Sequence, residues 1–295
     1  MDKIKIVGIS VNPALLEQIN EINSDNFSEN TTKKHSSLID NAQCLLRSLS
    51  TKEKNVFFYN TSIYNLILAL IFKFKRKHII FHLHDPVPHS GILNPFIFII
   101  NFLMTYLSNK VLVFSEKLKK QVHNFYFKKN VFIVSHGFNR FIYKPTIISE
   151  NIKLTIGIIG RNMPYKGFDE FLLFSKNNLE ISFYCIGKGY PKVDLENLTY
   201  FDGYIERNKY YSLIQDLDFV YFSHKNISYS GVLNDCKVLK KRVMVESYNL
   251  IKLKDFNLKL YSASNVKNYK KSKIKNFEID FGWNDYRETL LKLTI

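Results

Sequence analysis

The chain has 295 residues, of which 42 are Lys or Arg and 26 are Asp or Glu, so its formal net charge is +16. This length exceeds what one compact core usually needs, and we expect two domains. A hydrophobic content of 46% excludes a chain that is disordered throughout. The positive charge favours anionic partners, namely phosphorylated substrates or an acidic membrane surface. No nucleic-acid-binding motif accompanies this charge, so we expect no nucleic-acid partner.

The first half of the chain alternates short apolar runs with longer helical patterns, which is typical of βαβ units in a parallel sheet. The N-terminal run is predicted to be a strand rather than a secretory signal, because no small-residue cleavage site follows it. The polar stretch 23–37 is predicted to be a loop, and a helix is predicted from about Leu38. The predicted strands of this half are residues 4–10, 55–60, 78–84, 110–115 and 130–135.

The longest apolar segment is "ILNPFIFIINFLMTYL" at 92–107, and Asn94, Pro95 and Asn101 interrupt it. It falls short of the roughly 20 residues that a membrane-spanning helix requires. We predict a buried helix here, with a helix lying partly in a membrane interface as the alternative.

Basic clusters and cysteines bear on where the protein acts. The clusters at 73–77, 117–120 and 267–275 favour peripheral contact with an anionic membrane surface, although each can also be a solvated face. Three widely separated cysteines without metal-ligand spacing predict reduced, buried thiols: Cys44, Cys185 and Cys236. We therefore expect a cytoplasmic protein with peripheral contact at the inner face of the plasma membrane.

The second half repeats the alternation of strands and helices. The polar, proline-bearing stretch 144–153 is the expected linker, and 280–295 is a predicted final helix with Trp283 near its start. The predicted strands are residues 153–160, 181–187, 199–204, 218–223 and 242–247. Two consecutive parallel-sheet domains follow from this pattern.

Arg161 and Lys166 lie in the stretch "IGRNMPYKGFDEF" (159–171), between a predicted strand and a predicted helix. A loop in this position can direct both cations and its backbone N–H groups at a phosphate. The alternative is a pair of solvated surface charges.

A second helix start lies in "SYSGVLND" (228–235). Ser230 is a good N-cap and Gly231 a permissive first position, so the helix end can hold a pyrophosphate. Asp235, four residues after Gly231, can accept hydrogen bonds from ribose hydroxyls. The alternative is an ordinary capped helix with a surface aspartate. Upstream, Gly187 follows another predicted strand and permits close backbone approach to a ligand, although such a glycine is often only part of a turn.

The stretch "HLHDPVPHSG" (82–91) follows the third predicted strand and contains three histidines. His84 and Asp85 lie at the carboxyl end of that strand, where ligands bind in open α/β sheets. His89 follows two prolines. A zinc site is not expected, because the spacing is proline-rich and no carboxylate other than Asp85 accompanies the histidines.

Taken in order, these stretches resemble the retaining nucleotide-sugar glycosyltransferases of glycosyltransferase family 4. "FHLHD" resembles the histidine-bearing strand end of that family, and "VSHGFNRFIYKP" resembles the exit to its second domain. "IGRNMPYKGFDEF", "YCIGKGYP", "FDGYIERNKYYSLIQDLDFVYFSH", "SGVLNDCKVLKKRVMV" and "FGWNDYRETLLKL" then follow in family order. The resemblance covers nearly the whole chain.

The resemblance implies an α/β fold with two Rossmann-like domains facing across a cleft (GT-B), and a C-terminal helix that packs back on the N-terminal domain. The implied domains are an acceptor-side domain at 1–145, a nucleotide-sugar-binding domain at 146–279 and a closing helix at 280–295. The implied substrates are a UDP- or GDP-sugar and a glycan or lipid-linked glycan acceptor in surface polysaccharide biosynthesis. No separate cofactor and no metal are implied.

The resemblance also implies a role for individual residues. Arg161 and Lys166 would hold the diphosphate of the donor, and His84 would contact the sugar near the reacting carbon. Asp85 and His89 would lie on the acceptor side. The implied donor-binding residues are Gly160, Gly187, Gly203, Tyr204, Ser230, Gly231, Val232, Leu233 and Asp235.

One feature departs from the family pattern, and another has the form of a metal-binding motif. The first glutamate of the family's pair would fall at Ile227, and the second is replaced by Asp235. The triplet "DLD" at 216–218 has the DxD form of metal-dependent transferases, but it lies where a buried strand is predicted to begin. Two further functions therefore stay open, a nucleotide-sugar epimerase and a binding protein whose active site has decayed.

Overall fold

The computed structural model describes residues 3–11, 19–20, 22, 25, 27–33, 36–86, 95–134, 137, 141–146, 148, 153–223, 230–246, 258–269, 278–279 and 284–294. Contacts divide the chain into two compact units. Unit 1 comprises Met1–Asn139 and Phe281–Ile295, and unit 2 comprises Arg140–Asp280.

Unit 1 contains a six-stranded sheet in the order β2-β1-β3-β4-β5-β6, in which all neighbouring strands are parallel. Helices α1 to α4 contact one another in sequence, so they lie side by side in one layer. The elements are β1 (Ile4–Val11), β2 (Phe27–Lys33), α1 (Leu38–Leu49), β3 (Asn55–Phe58), α2 (Ile63–Phe74), β4 (His78–His82), α3 (Pro95–Leu107), β5 (Lys110–Val113), α4 (Glu116–Tyr126) and β6 (Val131–Ile133).

Unit 2 contains a second six-stranded parallel sheet, in the order β10-β9-β8-β11-β12-β13. Its elements are β7 (Phe141–Ile142), β8 (Thr155–Ile159), α5 (Phe168–Lys176), β9 (Ser182–Ile186), β10 (Leu198–Phe201), α6 (Arg207–Asp216), β11 (Phe219–Tyr221), α7 (Gly231–Val238), β12 (Arg242–Val245), β13 (Lys259–Ser262) and β14 (Glu278–Ile279). Strands β7 and β14 form a separate antiparallel pair. Both units are thus Rossmann-like α/β domains, as predicted.

The last helix, α8 (Asn284–Lys292), belongs to the core of unit 1. Its Tyr286 and Leu290 are buried in one cluster with Ile6, Phe57 and Ile80 from strands of the first sheet. The prediction that the C-terminal helix packs back on the N-terminal domain is therefore confirmed.

Serine residues set the start of three helices in unit 1. Ser37 and Asp40 form a capping box at α1, with Asp40 N–H donating to Ser37 Oγ at 3.0 Å. Ser62 accepts from Asn65 N–H at 3.1 Å, and Ser115 accepts from Leu118 N–H at 3.2 Å. Each hydroxyl satisfies an N–H group that has no intrahelical partner, which fixes where the helix begins.

All ten predicted strands are present, but several end earlier than predicted. The prediction 78–84 ends in the structure at His82, and 199–204 ends at Phe201. The residues that follow these ends belong to the loops that carry candidate site residues. The three cysteines are free and buried, as predicted.

The prediction of a loop at 23–37 is wrong, because β2 (Phe27–Lys33) pairs with β1 at the edge of the sheet. The strand was not predicted because most of its residues are polar. Its polar side chains are paired with α1: Thr32 Oγ1 donates to Asn41 Oδ1 at 2.7 Å, and Asn30 Nδ2 donates to Ser48 Oγ at 3.2 Å.

The helix predicted at 92–107 is present as α3 (Pro95–Leu107), but the prediction that it is buried is wrong. In α3 only Ile100, Asn101, Met104 and Thr105 are buried. Large apolar side chains on its other side are exposed, among them Tyr106. An apolar composition all round the helix concealed that only one side of it meets the protein interior.

Candidate functional site

The order of strands in unit 2 places a reversal point between β8 and β11. The chain continues from β8 to β9 on one side and from β11 to β12 on the other. Such a reversal leaves a crevice beyond the carboxyl ends of the two strands, where ligands bind in open α/β sheets. The loops after these strands touch there, because a β-carbon on Gly167 would lie 2.4 Å from Oγ of Ser223.

Two glycines allow the loops after β8 and β9 to approach closely. Gly160 and Gly187 have φ angles of +99° and +134°. A β-carbon on Gly187 would lie 2.3 Å from the carbonyl oxygen of Gly160, so a side chain cannot fit at position 187. Gly160 N–H donates to Ile186 O at 2.8 Å, and Asn162 N–H donates to Lys188 O at 2.9 Å. The two loops therefore form one backbone platform.

Lys166 places its amine over this platform. It ends a short 3₁₀ turn, Pro164–Lys166, between β8 and α5. A β-carbon on Gly160 would lie 2.8 Å from Nζ of Lys166. Burial, together with the positive charge of the nearby, exposed Arg161, lowers the pKa of Lys166 to about 8. An anion bound between the two cations would offset both effects, because it attracts each positive charge.

The start of α7 lies beside the same platform. The β-carbon position of Gly160 is 3.9 Å from Cγ2 of Val232, the second residue of α7. The side chain of Ser230 caps this helix by accepting from Leu233 N–H at 3.4 Å. Gly231 is exposed, with no atom within 4 Å of its β-carbon position. The first N–H groups of the helix thus point from its positive end toward the crevice.

Asp235 faces α6 from the second turn of α7. Its exposed fraction is only 7%, and Tyr210 Oη donates to its Oδ2 at 3.1 Å. Burial raises the pKa of Asp235 to about 7, while the charge of Arg207 and the bond from Tyr210 oppose this rise. A carboxyl group that titrates near neutral pH beside a loop crevice is a candidate for ligand contact.

Gly203 and Tyr204 lie in the loop that leads from β10 into α6. Gly203 has a φ angle of +96°, and its N–H donates to Asp202 Oδ1 at 2.9 Å. Tyr204 is 68% exposed. This loop enters the same helix whose Tyr210 meets Asp235, so the two predicted sites are linked through α6.

The histidine candidate belongs to unit 1. His84 follows β4, and its Nε2 lies 2.9 Å from the carbonyl oxygen of Tyr59. Since a carbonyl only accepts, Nε2 carries the proton and Nδ1 is the acceptor in the neutral ring. Burial lowers the pKa of His84, although Asp85 and the bond to Tyr59 oppose this, so the ring is neutral at pH 7. His84 stacks on His82 with ring centroids 4.2 Å apart.

The other acceptor-side candidates are less well defined. Asp85 is partly buried, and its carbonyl oxygen accepts from Asn101 Nδ2 at 3.1 Å. His89 and Ile227 lie outside the described residues.

The aspartates of the "DLD" triplet have structural roles. Asp216 accepts from Thr146 N–H at 2.8 Å and from Tyr143 Oη, which ties the segment after β7 to α6. Asp218 accepts from the N–H and the hydroxyl of Thr155, each at 2.9 Å. Both lie at the amino end of β11, at the opposite edge of the sheet from Lys166. Within the described part of the chain, no group of three or more His, Cys, Asp or Glu is placed to hold a metal ion.

Sequence reasoning missed three residues of the site: Tyr210, Arg207 and Ser223. Tyr210 and Arg207 are three apart on α6, a spacing that puts both on one helix face. Nothing in the sequence indicates that this face meets Asp235, because the packing of α6 on α7 is a tertiary contact.

Among the residues that the structure describes, no helix has both the length and the apolar character needed to cross a membrane.

No protein-family model and no curated protein sequence matches the chain. Solved structures do match it, and those named below are each about 10% identical to this chain. They include UDP-GlcNAc 2-epimerase from Neisseria meningitidis bound to UDP-GlcNAc (10% identity, 98% of each chain covered, TM-score 0.59). The UDP-GlcNAc 2-epimerase from Methanocaldococcus jannaschii is similar at 10% identity, with 99% of each chain covered and a TM-score of 0.58.

The matching structures also include a transferase. An α,α-trehalose-phosphate synthase (UDP-forming) from Burkholderia vietnamiensis is 10% identical to this chain, and the match covers 90% of this chain and 88% of that one with a TM-score of 0.57. These proteins share the GT-B type of fold, and the likeness shows that fold for this chain.

Proposed function

We propose that this protein binds a nucleoside diphosphate sugar at the carboxyl edge of the unit 2 sheet and transfers the sugar to a glycan or lipid-linked glycan acceptor. The observation that carries the proposal is the convergence of the Lys166 amine, the Gly160 backbone and the start of α7 at the reversal point. Two cations and a helix N-terminus in one place provide what a diphosphate needs.

Glycosyl transfer breaks the bond between the anomeric carbon and the diphosphate and forms a bond from that carbon to an acceptor oxygen. The diphosphate leaves with additional negative charge. Arg161, Lys166 and the N–H groups of Gly231 and Val232 would stabilise that charge without a metal ion. The acceptor proton would pass to a departing phosphate oxygen, which gives retention by attack on the same face.

In this proposal the remaining candidate residues contact other parts of the substrates. Gly203 and Tyr204 would lie near the nucleobase, and Asp235 would receive a ribose hydroxyl through Oδ1, since Tyr210 uses Oδ2. In unit 1, neutral His84 would offer Nδ1 to the sugar, with Asp85 and His89 on the acceptor side. Surface polysaccharide synthesis would supply acceptors of this class.

The binding step can be tested with UDP and GDP by isothermal titration calorimetry and thermal shift. Lys166→Met keeps most of the side-chain volume but removes the charge, and we expect at least about a tenfold loss of affinity, since a charge-assisted contact contributes about 1.5–3 kcal/mol. Lys176→Met is the matched control, because Lys176 is exposed at the far end of α5. Equal affinity in wild type and Lys166→Met would refute the phosphate site.

Epimerisation is the second candidate, because two of the similar structures are UDP-GlcNAc 2-epimerases that this chain covers almost completely. An epimerase converts the free donor without any acceptor, whereas a transferase consumes it only with one. Nucleotide sugars incubated with the protein and followed by ¹H NMR, with and without candidate acceptors, separate these activities. Nucleotide binding with neither activity would support the decayed binding protein.

A further inference from the structure

Three exposed aromatic side chains lie at equivalent positions before three successive strands of the first sheet. Phe74, Tyr106 and Phe127 each lie four residues before a strand, namely β4, β5 and β6. Their exposed fractions are 87%, 74% and 82%. Side chains of this size are seldom so exposed three times in one pattern unless something covers them.

The topology puts these aromatics on one edge of unit 1. Strands β4, β5 and β6 are parallel neighbours, so their amino ends lie together. Backbone bonds join the turns there: Asn109 N–H donates to Ile79 O at 2.8 Å, and Val111 N–H donates to Asn130 O at 3.0 Å. We name this row of Phe74, Tyr106 and Phe127 the aromatic edge. It lies opposite the carboxyl edge that carries His84.

Apolar stripes run along the outer sides of two helices to the aromatic edge. On α2 the exposed large apolar residues are Ile63, Ile67, Leu70 and Phe74, spaced i, i+4, i+7 and i+11. This spacing is one face of a helix. On α3 the exposed stripe is Phe96, Ile99, Leu103 and Tyr106, spaced i, i+3, i+7 and i+10. Since α2 and α3 pack against each other in one layer, both stripes face away from the sheet.

Positive charge surrounds the aromatic edge. Residues 73–77 and 127–130, which adjoin the aromatics, contain six Lys or Arg and no acidic residue. Lys73, Arg76 and Lys129 are exposed next to the aromatics. The cations are close enough to affect one another: burial lowers the pKa of Lys128, and the charge of Lys73 lowers it further.

Hydrogen bonds to backbone carbonyls at the end of α1 and in the loop after it account for some of these lysines. Lys75 Nζ donates to Leu49 O at 2.9 Å, and Lys77 Nζ donates to Thr51 O and Glu53 O at 2.9 and 2.7 Å. These hydrogen bonds do not require an aromatic side chain exposed beside each lysine. The combination of aromatics, apolar stripes and cations is the one found on protein surfaces that sit at a lipid interface.

We propose that the aromatic edge, with the outer stripes of α2 and α3, docks on an anionic lipid bilayer. The aromatic rings would enter the headgroup region while Lys73, Arg76 and Lys129 bind lipid phosphates. The carboxyl edge, which carries His84, lies at the far end of both stripes from the aromatics. The proposal does not depend on nucleotide-sugar chemistry in unit 2.

Co-sedimentation with vesicles tests it on the full chain. We expect binding to phosphatidylcholine vesicles that contain about a third phosphatidylglycerol, little binding to pure phosphatidylcholine, and weaker binding as salt rises. The triple variant Phe74→Ser/Tyr106→Ser/Phe127→Ser should lower the partition coefficient at least about tenfold. The charge variant Lys73→Glu/Arg76→Glu/Lys129→Glu should abolish the preference for anionic vesicles.

A matched control uses exposed residues of unit 2. Leu173→Ser/Leu179→Ser/Lys176→Glu changes two exposed leucines and a lysine, and it should bind vesicles like wild type. Circular dichroism checks that each variant is folded. Absence of wild-type binding to anionic vesicles, or equal binding by the aromatic variant, would overturn the proposal. A second outcome would also overturn the proposal: the wild type is a dimer, the aromatic variant is a monomer, and neither binds lipid. A second copy of the chain would then cover this edge.

Discussion

At the scale of single residues, two ionisable groups of the candidate site have pKa values shifted toward neutral pH in opposite directions. Burial lowers the pKa of Lys166 to about 8 and raises the pKa of Asp235 to about 7. In each case the folded chain disfavours the charged form. A bound nucleotide would supply an anion to the first group and hydroxyl donors to the second, so both should respond to binding.

The proton balance of nucleotide binding should reveal Lys166. At pH 8.5 most Lys166 amines are neutral, and a bound diphosphate raises the pKa and draws a proton. We expect uptake of more than about half a proton per UDP or GDP at pH 8.5, where Asp235 and the terminal phosphate are already ionised. Calorimetry in two buffers of different ionisation enthalpy measures this uptake. Lys166→Met should abolish it, and uptake that persists in this variant would assign the proton to another group.

The substitution Asp235→Asn should stabilise the fold above neutral pH while weakening nucleotide binding. The native carboxyl has a pKa above its unfolded value, so its contribution to stability is present below about pH 4 and declines as the pH rises to about 7. Asparagine keeps an acceptor for Tyr210 and carries no charge. Urea unfolding should show a gain of about 2 kcal/mol at pH 8 and little change at pH 4. A loss of stability at pH 8 would show that the attraction between the Asp235 carboxylate and the positive charge of Arg207 outweighs the cost of burial.

At the scale of elements, the site depends on two loops whose backbones approach each other so closely that no side chain fits between them. The loops after β8 and β9 meet at Gly160 and Gly187. Strand register brings them together, because β8 and β9 are paired from Thr155 with Ser182 to Ile159 with Ile186. Their loops therefore leave the sheet at the same level, and the phosphate platform is a property of the paired strands.

Two glycine substitutions separate close approach from backbone strain. In Gly187→Ala the new β-carbon would meet Gly160 O at 2.3 Å, at a φ angle of +134°, and we expect a loss of about 3 kcal/mol or more in the free energy of unfolding. Gly189→Ala is the control, with a φ angle of +87° and no atom within 4 Å, so it should lose only about 1 kcal/mol. Denaturant unfolding measures both. Equal losses of unfolding free energy in the two variants would mean that the two loops can move apart without destabilising the protein.

At the scale of the whole molecule, the chain closes unit 1 with its last helix. The Oη atom of Tyr286 in α8 lies 2.7 Å from Nδ1 of His82, a residue 204 positions earlier in the chain. Lys110 Nζ also donates to Leu293 O at 2.7 Å. The stability of unit 1 therefore depends on a segment that follows all of unit 2 in the chain.

Leu290→Ala tests this dependence. The side chain is fully buried, so its truncation should destabilise unit 1 by about 2–4 kcal/mol. Hydrogen exchange should then be faster in the strands of unit 1 and unchanged in β8, β9 and β11 of unit 2. Lys292→Ala, an exposed position on the same helix, is the control and should change neither. Equal acceleration in both units would show that they unfold as one.

The sequence was sufficient to predict the strands that are buried on both faces and the loops that follow them. Ten strands were recognisable as apolar runs, because a parallel strand between two layers needs an apolar sequence. Two of the ten, β6 and β10, are edge strands and are partly exposed. The edge strand β2 was missed for the converse reason, since its polar residues are satisfied by α1. Arg161, Lys166 and Ser230 could be proposed because each directly follows a strand or precedes a helix.

The sequence by itself determined which residues can meet an anion: two cations in one strand-to-helix loop, and a serine-capped helix that begins with glycine. Only the tertiary structure decided that Lys166 and the start of α7 lie together over Gly160, that Asp235 is buried against Tyr210, and that α3 is exposed. The physical reason is that local pattern specifies secondary structure and its ends. Which faces meet is set by strand order and by packing between segments far apart in the chain.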